Sequence, residues 1–177
     1  MVTQARHQKF AKHFERYDAD NDGKIDQSDI DALINKWCDA FKIPPGSDKW
    51  RITIKRANRL WQDLQGHADA NGDKEISREE WIAAHEDPRF VDEVAIPLAQ
   101  LTFELGDVDG DGAVSLSEWM TLQSISGVNQ IDALKMFQML DGNGDGYITT
   151  DEHDAALRDF FGSDNLEAAG TQLAGRL

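Results

Sequence analysis

The chain has one cysteine, Cys38, in 177 residues, so no disulfide can form within it. That excludes the small disulfide-stapled scaffolds of secreted proteins and fits a reducing compartment. Basic residues are also scarce: 18 Lys and Arg stand against 33 Asp and Glu, a formal charge of -15. A surface of that sign repels phosphodiester backbones and anionic headgroups, which argues against nucleic acid and acidic membranes as partners. No apolar run approaches the roughly 20 residues of a membrane helix. The opening MVTQARHQKF lacks the apolar stretch of a signal peptide. The expectation is a cytoplasmic monomer without membrane insertion. Enzyme chemistry is poorly represented: His7, His13, His67, His85 and His153 form no pair at zinc-ligand spacing. There is no phosphate-cradling glycine loop and no nucleophile with a nearby base, so no catalytic residues and no organic cofactor are assigned. Acid-rich chains are often disordered, but 40% hydrophobic residues, five of them tryptophan, can bury a core.

The acids that are present are concentrated and ordered. DADNDGKIDQSD, residues 18–29, carries oxygen-bearing side chains at places one, three, five, nine and twelve, with Gly23 at place six. The pattern returns as DANGDKEISREE (69–80), DVDGDGAVSLSE (107–118) and DGNGDGYITTDE (141–152). This is the twelve-place EF-hand loop, in which oxygens at alternating places wrap one hard cation. The four segments hold 18 of the 33 acids and three bases, Lys24, Lys74 and Arg78, so their net charge equals that of the whole chain. A general solubilising surface does not require such localisation. One acidic, turn-rich segment can match by chance; four with matching flanks cannot.

The flanks read as helices. Phe10, Phe14 and Tyr17 precede the first loop on one helical face; Leu101 and Leu105 precede the third, with Phe103 on a neighbouring face; Leu134, Phe137 and Leu140 precede the fourth. Ile30, Leu33, Ile34 and Trp37, then Trp81 and Ile82, then Trp119 and Leu122, then Ala156, Leu157, Phe160 and Phe161 follow the loops. These aromatics, and Cys38, read as core. Places nine and twelve have capping-box spacing in Ser77/Glu80, Ser115/Glu118 and Thr149/Glu152, imitated by Asp26/Asp29. Place eight is Ile25, Ile76, Val114 or Ile148, always β-branched, which suits one short antiparallel bridge per loop pair. The expected fold is all-α, a compact single globule of four EF-hands in two pairs: residues 1–88, and residues 89–177 with an apolar tail. Pro88 predicts a helix break at the junction.

The expected metal ligands follow from place. In the first loop they are Asp18, Asp20, Asp22, the backbone of Lys24, and Asp29; in the second, Asp69, Asn71, Asp73, the backbone of Glu75, and Glu80. In the third they are Asp107, Asp109, Asp111, the backbone of Ala113, and Glu118; in the fourth, Asp141, Asn143, Asp145, the backbone of Tyr147, and Glu152. Two loops depart from the pattern. Lys74 replaces glycine at place six, where a left-handed backbone costs a non-glycine residue about 1–2 kcal/mol. Asp29 replaces glutamate at place twelve and is one methylene too short to grip calcium with both oxygens unless the loop contracts, which shifts the first site towards Mg²⁺.

The four loops, the long first interval and the ending LRDFFGSDNLEAAGTQLAGRL resemble the sarcoplasmic calcium-binding proteins, among whose relatives are calexcitin and calerythrin; RLWQDLQGHADANGDKEISREEW resembles the second hand of calexcitin. The resemblance spans nearly the whole chain. It implies a compact helical protein that buffers Ca²⁺ and Mg²⁺, or else a calcium sensor that takes a protein target as calexcitin does. Many members have lost one site, whereas this sequence keeps ligands in all four. Photoproteins and luciferin-binding proteins belong to the same superfamily, and photoproteins hold coelenterazine with His, Trp and Tyr, including a group in the last helix and tail. No such residue follows His153 here, which argues against that use. Apart from Met1 only Met120, Met136 and Met139 occur, few for a calmodulin-like groove. Phe160, Phe161, Leu166, Leu173 and Leu177 are expected to cover such a groove from within.

Overall fold

The computed structural model describes residues 3–174. Each loop is entered and left by a helix whose start is chemically marked. Helix α1 (Gln4–Phe14) is capped by the Thr3 hydroxyl, and α3 (Asp48–Ala68) by the Ser47 hydroxyl. The helices leaving the loops, α2 (Gln27–Ala40), α4 (Arg78–Ala84), α7 (Leu116–Ile125) and α9 (Thr150–Gly162), all begin with capping boxes, led by Asp26, Ser77, Ser115 and Thr149.

Pro88 acts at the start of a helix. After α4 the chain turns, Asp87 caps α5 (Pro88–Phe90), and Pro88 takes the first helical position, where its missing N–H costs nothing. The helix continues through a π-helical turn, Val91–Ala95, into α6 (Ile96–Gly106). Pro97 follows directly on the wider turn, which relieves the clash a proline ring makes with the preceding turn. Helix α8 (Gln130–Leu140) enters the fourth loop, and a 3₁₀ helix, Ala169–Ala174, ends the described chain.

The place-eight residues pair as their shape predicts. Strand β1 (Lys24–Ile25) lies antiparallel to β2 (Ile76–Ser77), with Ile25 opposite Ile76. Strand β3 (Ala113–Ser115) pairs with β4 (Tyr147–Thr149), with Val114 opposite Ile148. All four are fully buried. One hydrophobic cluster runs through both loop pairs, joining α1, α2 and α3 to α6, α7 and α9. Trp81 lies at 0% exposure and donates its indole N–H to the Phe10 carbonyl at 3.1 Å. Trp119 donates to the Ala133 carbonyl at 2.8 Å.

One helix-face expectation changes and another holds. Leu134 is exposed, and Ala133 and Met136 are buried beside Phe137 and Leu140, because the buried face of α8 is turned by one residue. On α6, Leu101, Phe103 and Leu105 are all buried, since that helix is enclosed on more than one side. In the tail Phe160 and Phe161 are buried, Leu173 is half-buried and Leu166 is exposed, while Leu177 lies outside the described residues. The two ends of the chain are fastened together. Lys9, wholly buried, donates to the Phe160 and Ser163 carbonyls at 2.5 and 2.6 Å, and Arg6 donates to the Gly162 carbonyl at 2.8 Å. Gly170 sits so close to α9 that a Cβ there would clash with the Ala156 carbonyl oxygen.

Candidate metal centres

All four loops are wired alike. The carboxylate at place one accepts the amide of place six: Asp18 from Gly23 at 3.1 Å, Asp69 from Lys74 at 2.9 Å, and Asp107 and Asp141 from Gly112 and Gly146 at 3.0 Å. Place three accepts from place five, in Asp20, Asn71, Asp109 and Asn143. Place five accepts from place seven: Asp22 from Lys24, Asp73 from Glu75 and Asp111 from Ala113 at 2.9 Å, Asp145 from Tyr147 at 3.0 Å. These short bonds curl each loop about its own acids. Lys24 and Glu75, at place seven of the first two loops, form an ion pair across β1 and β2.

Oxygen positions provide a test of fit. Carboxylate oxygens of Asp18, Asp20 and Asp22 lie within 4.8 Å of one another, as do those of Asp107, Asp109 and Glu118. Oxygens on opposite sides of a calcium shell of radius about 2.4 Å stand about 4.8 Å apart, so each group can share one ion. The first group draws on places one, three and five, whereas the third includes place twelve.

Place twelve is where the loops differ. Glu80, Glu118 and Glu152 each reach back with one oxygen to the amide of place two, in Ala70, Val108 and Gly142, at 2.9–3.1 Å. The other oxygen accepts from the amide of place nine at 2.9 Å in all three. The amide of Ser77 holds Glu80 below the usual carboxylate range, and the amide of Thr149 does the same for Glu152. Asp29 makes equivalent bonds with a shorter arm. Its Oδ1 accepts from Ala19 at 2.9 Å and Asp20 at 3.3 Å, and its Oδ2 from Asp26 at 2.9 Å. The entering half of the first loop is therefore drawn in towards place twelve. Asp29 is 3% exposed, and burial raises its pKa despite the three amides.

Lys74 adopts the left-handed conformation that place six demands, with φ +69°. Sequence reasoning missed that place four requires it too: Asn21, Gly72, Gly110 and Gly144 have φ of +62°, +79°, +75° and +72°. The signal was visible as recurrent Gly or Asn, residues that enter this region readily. It also missed the place-two amides, which are invisible because any side chain can sit above them.

Comparison with known proteins agrees with this geometry. The EF hand family model matches residues 11–34, 98–123 and 134–152, which include the first, third and fourth loops in full. Calerythrin from Saccharopolyspora erythraea is 26% identical over 177 residues, covering 96% of this chain and all of that protein. A calcium-binding protein from Streptomyces coelicolor, solved in a study of prokaryotic calcium-mediated regulation, is 32% identical with a TM-score of 0.74 and covers 88% of this chain and 97% of its own. A sarcoplasmic calcium-binding protein from amphioxus has a TM-score of 0.79 at 22% identity, with both chains covered in full.

Proposed function

Because the chain belongs to the sarcoplasmic calcium-binding family of EF-hand proteins, we propose that this calcium-binding protein acts chiefly as a Ca²⁺/Mg²⁺ buffer. All four loops serve as sites through the ligands assigned by place, with the Asp18–Asp29 loop the most tolerant of magnesium. The observation that carries the reading is the closure of the interior. The apolar faces of the helices meet in one cluster, and the tail lies on α9 and is fastened to α1. Of the large exposed apolar residues, Ile52, Val108 and Leu166 come from separate stretches of chain, and the three that share an element, Ile131, Leu134 and Met139, lie on α8 alone. A sensor of the calmodulin kind instead presents a continuous groove when calcium arrives. In this reading residues 1–88 and 89–177 are two halves of one cytoplasmic monomer without enzymatic activity.

A dye that fluoresces on apolar surfaces tests the closure. On adding calcium to the calcium-free protein, its emission should hold steady or fall. The second reading, a sensor, is supported by the subject of the Streptomyces study. A strong calcium-dependent rise in emission, together with calcium-dependent capture of an amphipathic helix, decides for that reading.

A further inference from the structure

Between the two loop pairs lies a cavity of about 80 Å³, partly open to solvent, lined by polar and apolar side chains together. Its polar lining includes His13, Arg16, Gln123 and Ser126, and its apolar lining Phe103, Leu122, Leu157 and Phe160, with the His13 and Phe160 ring centroids 5.2 Å apart. Arg16 donates to the Leu173 carbonyl, to Gln123 Oε1 at 3.0 Å and to Ser126 Oγ at 3.0 Å. Every one of these acceptors is neutral. Among the described residues no carboxylate pairs with Arg16, in a chain with 33 acids to choose from. His13 and His153 also line the cavity, at 7% and 5% exposure, and each keeps a buried Nδ1 without a hydrogen-bond partner. Buried polar atoms are almost always bonded, so two imidazole nitrogens without partners among the described residues, around the same space as a half-buried cation met by neutral acceptors, leave a chemical demand.

We propose that this cavity binds a small organic monocarboxylate, with the Arg16 guanidinium holding the carboxylate and the aromatic and aliphatic wall holding a short apolar body. Guanidinium offers parallel N–H donors matched to a carboxylate, and the nearby imidazole Nδ1 of His13 offers one more. Size restricts the ligand: the cavity is about half the roughly 150 Å³ that admits benzene, so a body of two or three carbons fits. The site does not depend on whether the protein buffers or senses.

The test uses the full chain loaded with calcium, with propionate as probe and propionamide as its neutral counterpart. Shifts of side-chain NMR signals at Trp119, Leu122 and Leu157 report the cavity. The expected result is saturable binding of propionate in the millimolar range, the scale for about five heavy atoms. It should be favoured about tenfold over the amide, as a charge-assisted bond requires. Arg16→Gln should abolish that preference. Ala99→Leu, which fills the space from α6 and leaves Arg16 unchanged, should block both probes and keeps the test decisive should Arg16→Gln unfold the protein. Equal binding of acid and amide, or no saturable shift with propionate, overturns the proposal and leaves the cavity as a site for ordered water alone.

Discussion

The left-handed backbone at Lys74 allows strain to be measured at a single residue. Its side chain is exposed, so replacing it removes no packing, and its amide bond to Asp69 survives any substitution except proline. Lys74→Ala and Lys74→Gly both remove the charge, but only glycine also removes the steric cost at φ +69°. That cost is about 1–2 kcal/mol for an L side chain. Glycine gives back roughly 0.5–1 kcal/mol through the greater freedom of its unfolded chain. The Gly variant should therefore be more stable than the Ala variant by about 0.5–1 kcal/mol, which in a domain of this size is about 1–4 °C in Tm. The assay is thermal unfolding of both variants at one fixed calcium concentration, with the parent alongside to show the effect of charge. If the two variants melt together, or alanine melts higher, residue 74 carries no such strain and the argument fails.

Three further outcomes are expected. Asp29→Glu should raise calcium-over-magnesium selectivity at the first loop, because the longer arm no longer draws Ala19 and Asp20 inward; ion competition at that loop that shows selectivity unchanged or lowered refutes the length argument. Chelating calcium should lower the melting temperature, since repelling carboxylates are left clustered and binding energy is lost from the folded state; equal midpoints with calcium and with chelator exclude this coupling. Burial lowers the pKa of His85 from 6.5 to about 4, so the unfolded chain takes up its proton first and stability falls as pH drops from about 6.5 towards 4. In His85→Asn that fall should be shallower by about 1.4 kcal/mol per pH unit within the window, read from urea unfolding at several pH values; identical slopes in variant and parent refute it.

Much of this molecule is local chemistry, and local chemistry can be read from a chain. The four loops, their capping boxes and the β-branched bridge residues each depend on side chains within about a dozen positions, so composition by place was sufficient to locate them. Even the two departures, Lys74 and Asp29, were legible as steric problems before their backbone and hydrogen bonds were seen. Tertiary structure decided what depends on distant partners. Whether Leu134 or Ala133 faces inward turns on what α8 packs against, since the periodicity of a short helix tolerates a shift of one residue. The fastening of Lys9 to the carbonyls of Phe160 and Ser163 joins residues some 150 positions apart and uses acceptors that every residue carries, so nothing in the sequence distinguishes them. The same holds for Arg16. By sequence it is one more surface base beside the first loop; only when α1, α7 and the tail close around it does it become a half-buried cation met by neutral acceptors, with no carboxylate partner among the described residues. Burial is a property of the assembled helices, and the chemistry of that cavity exists only after they have met.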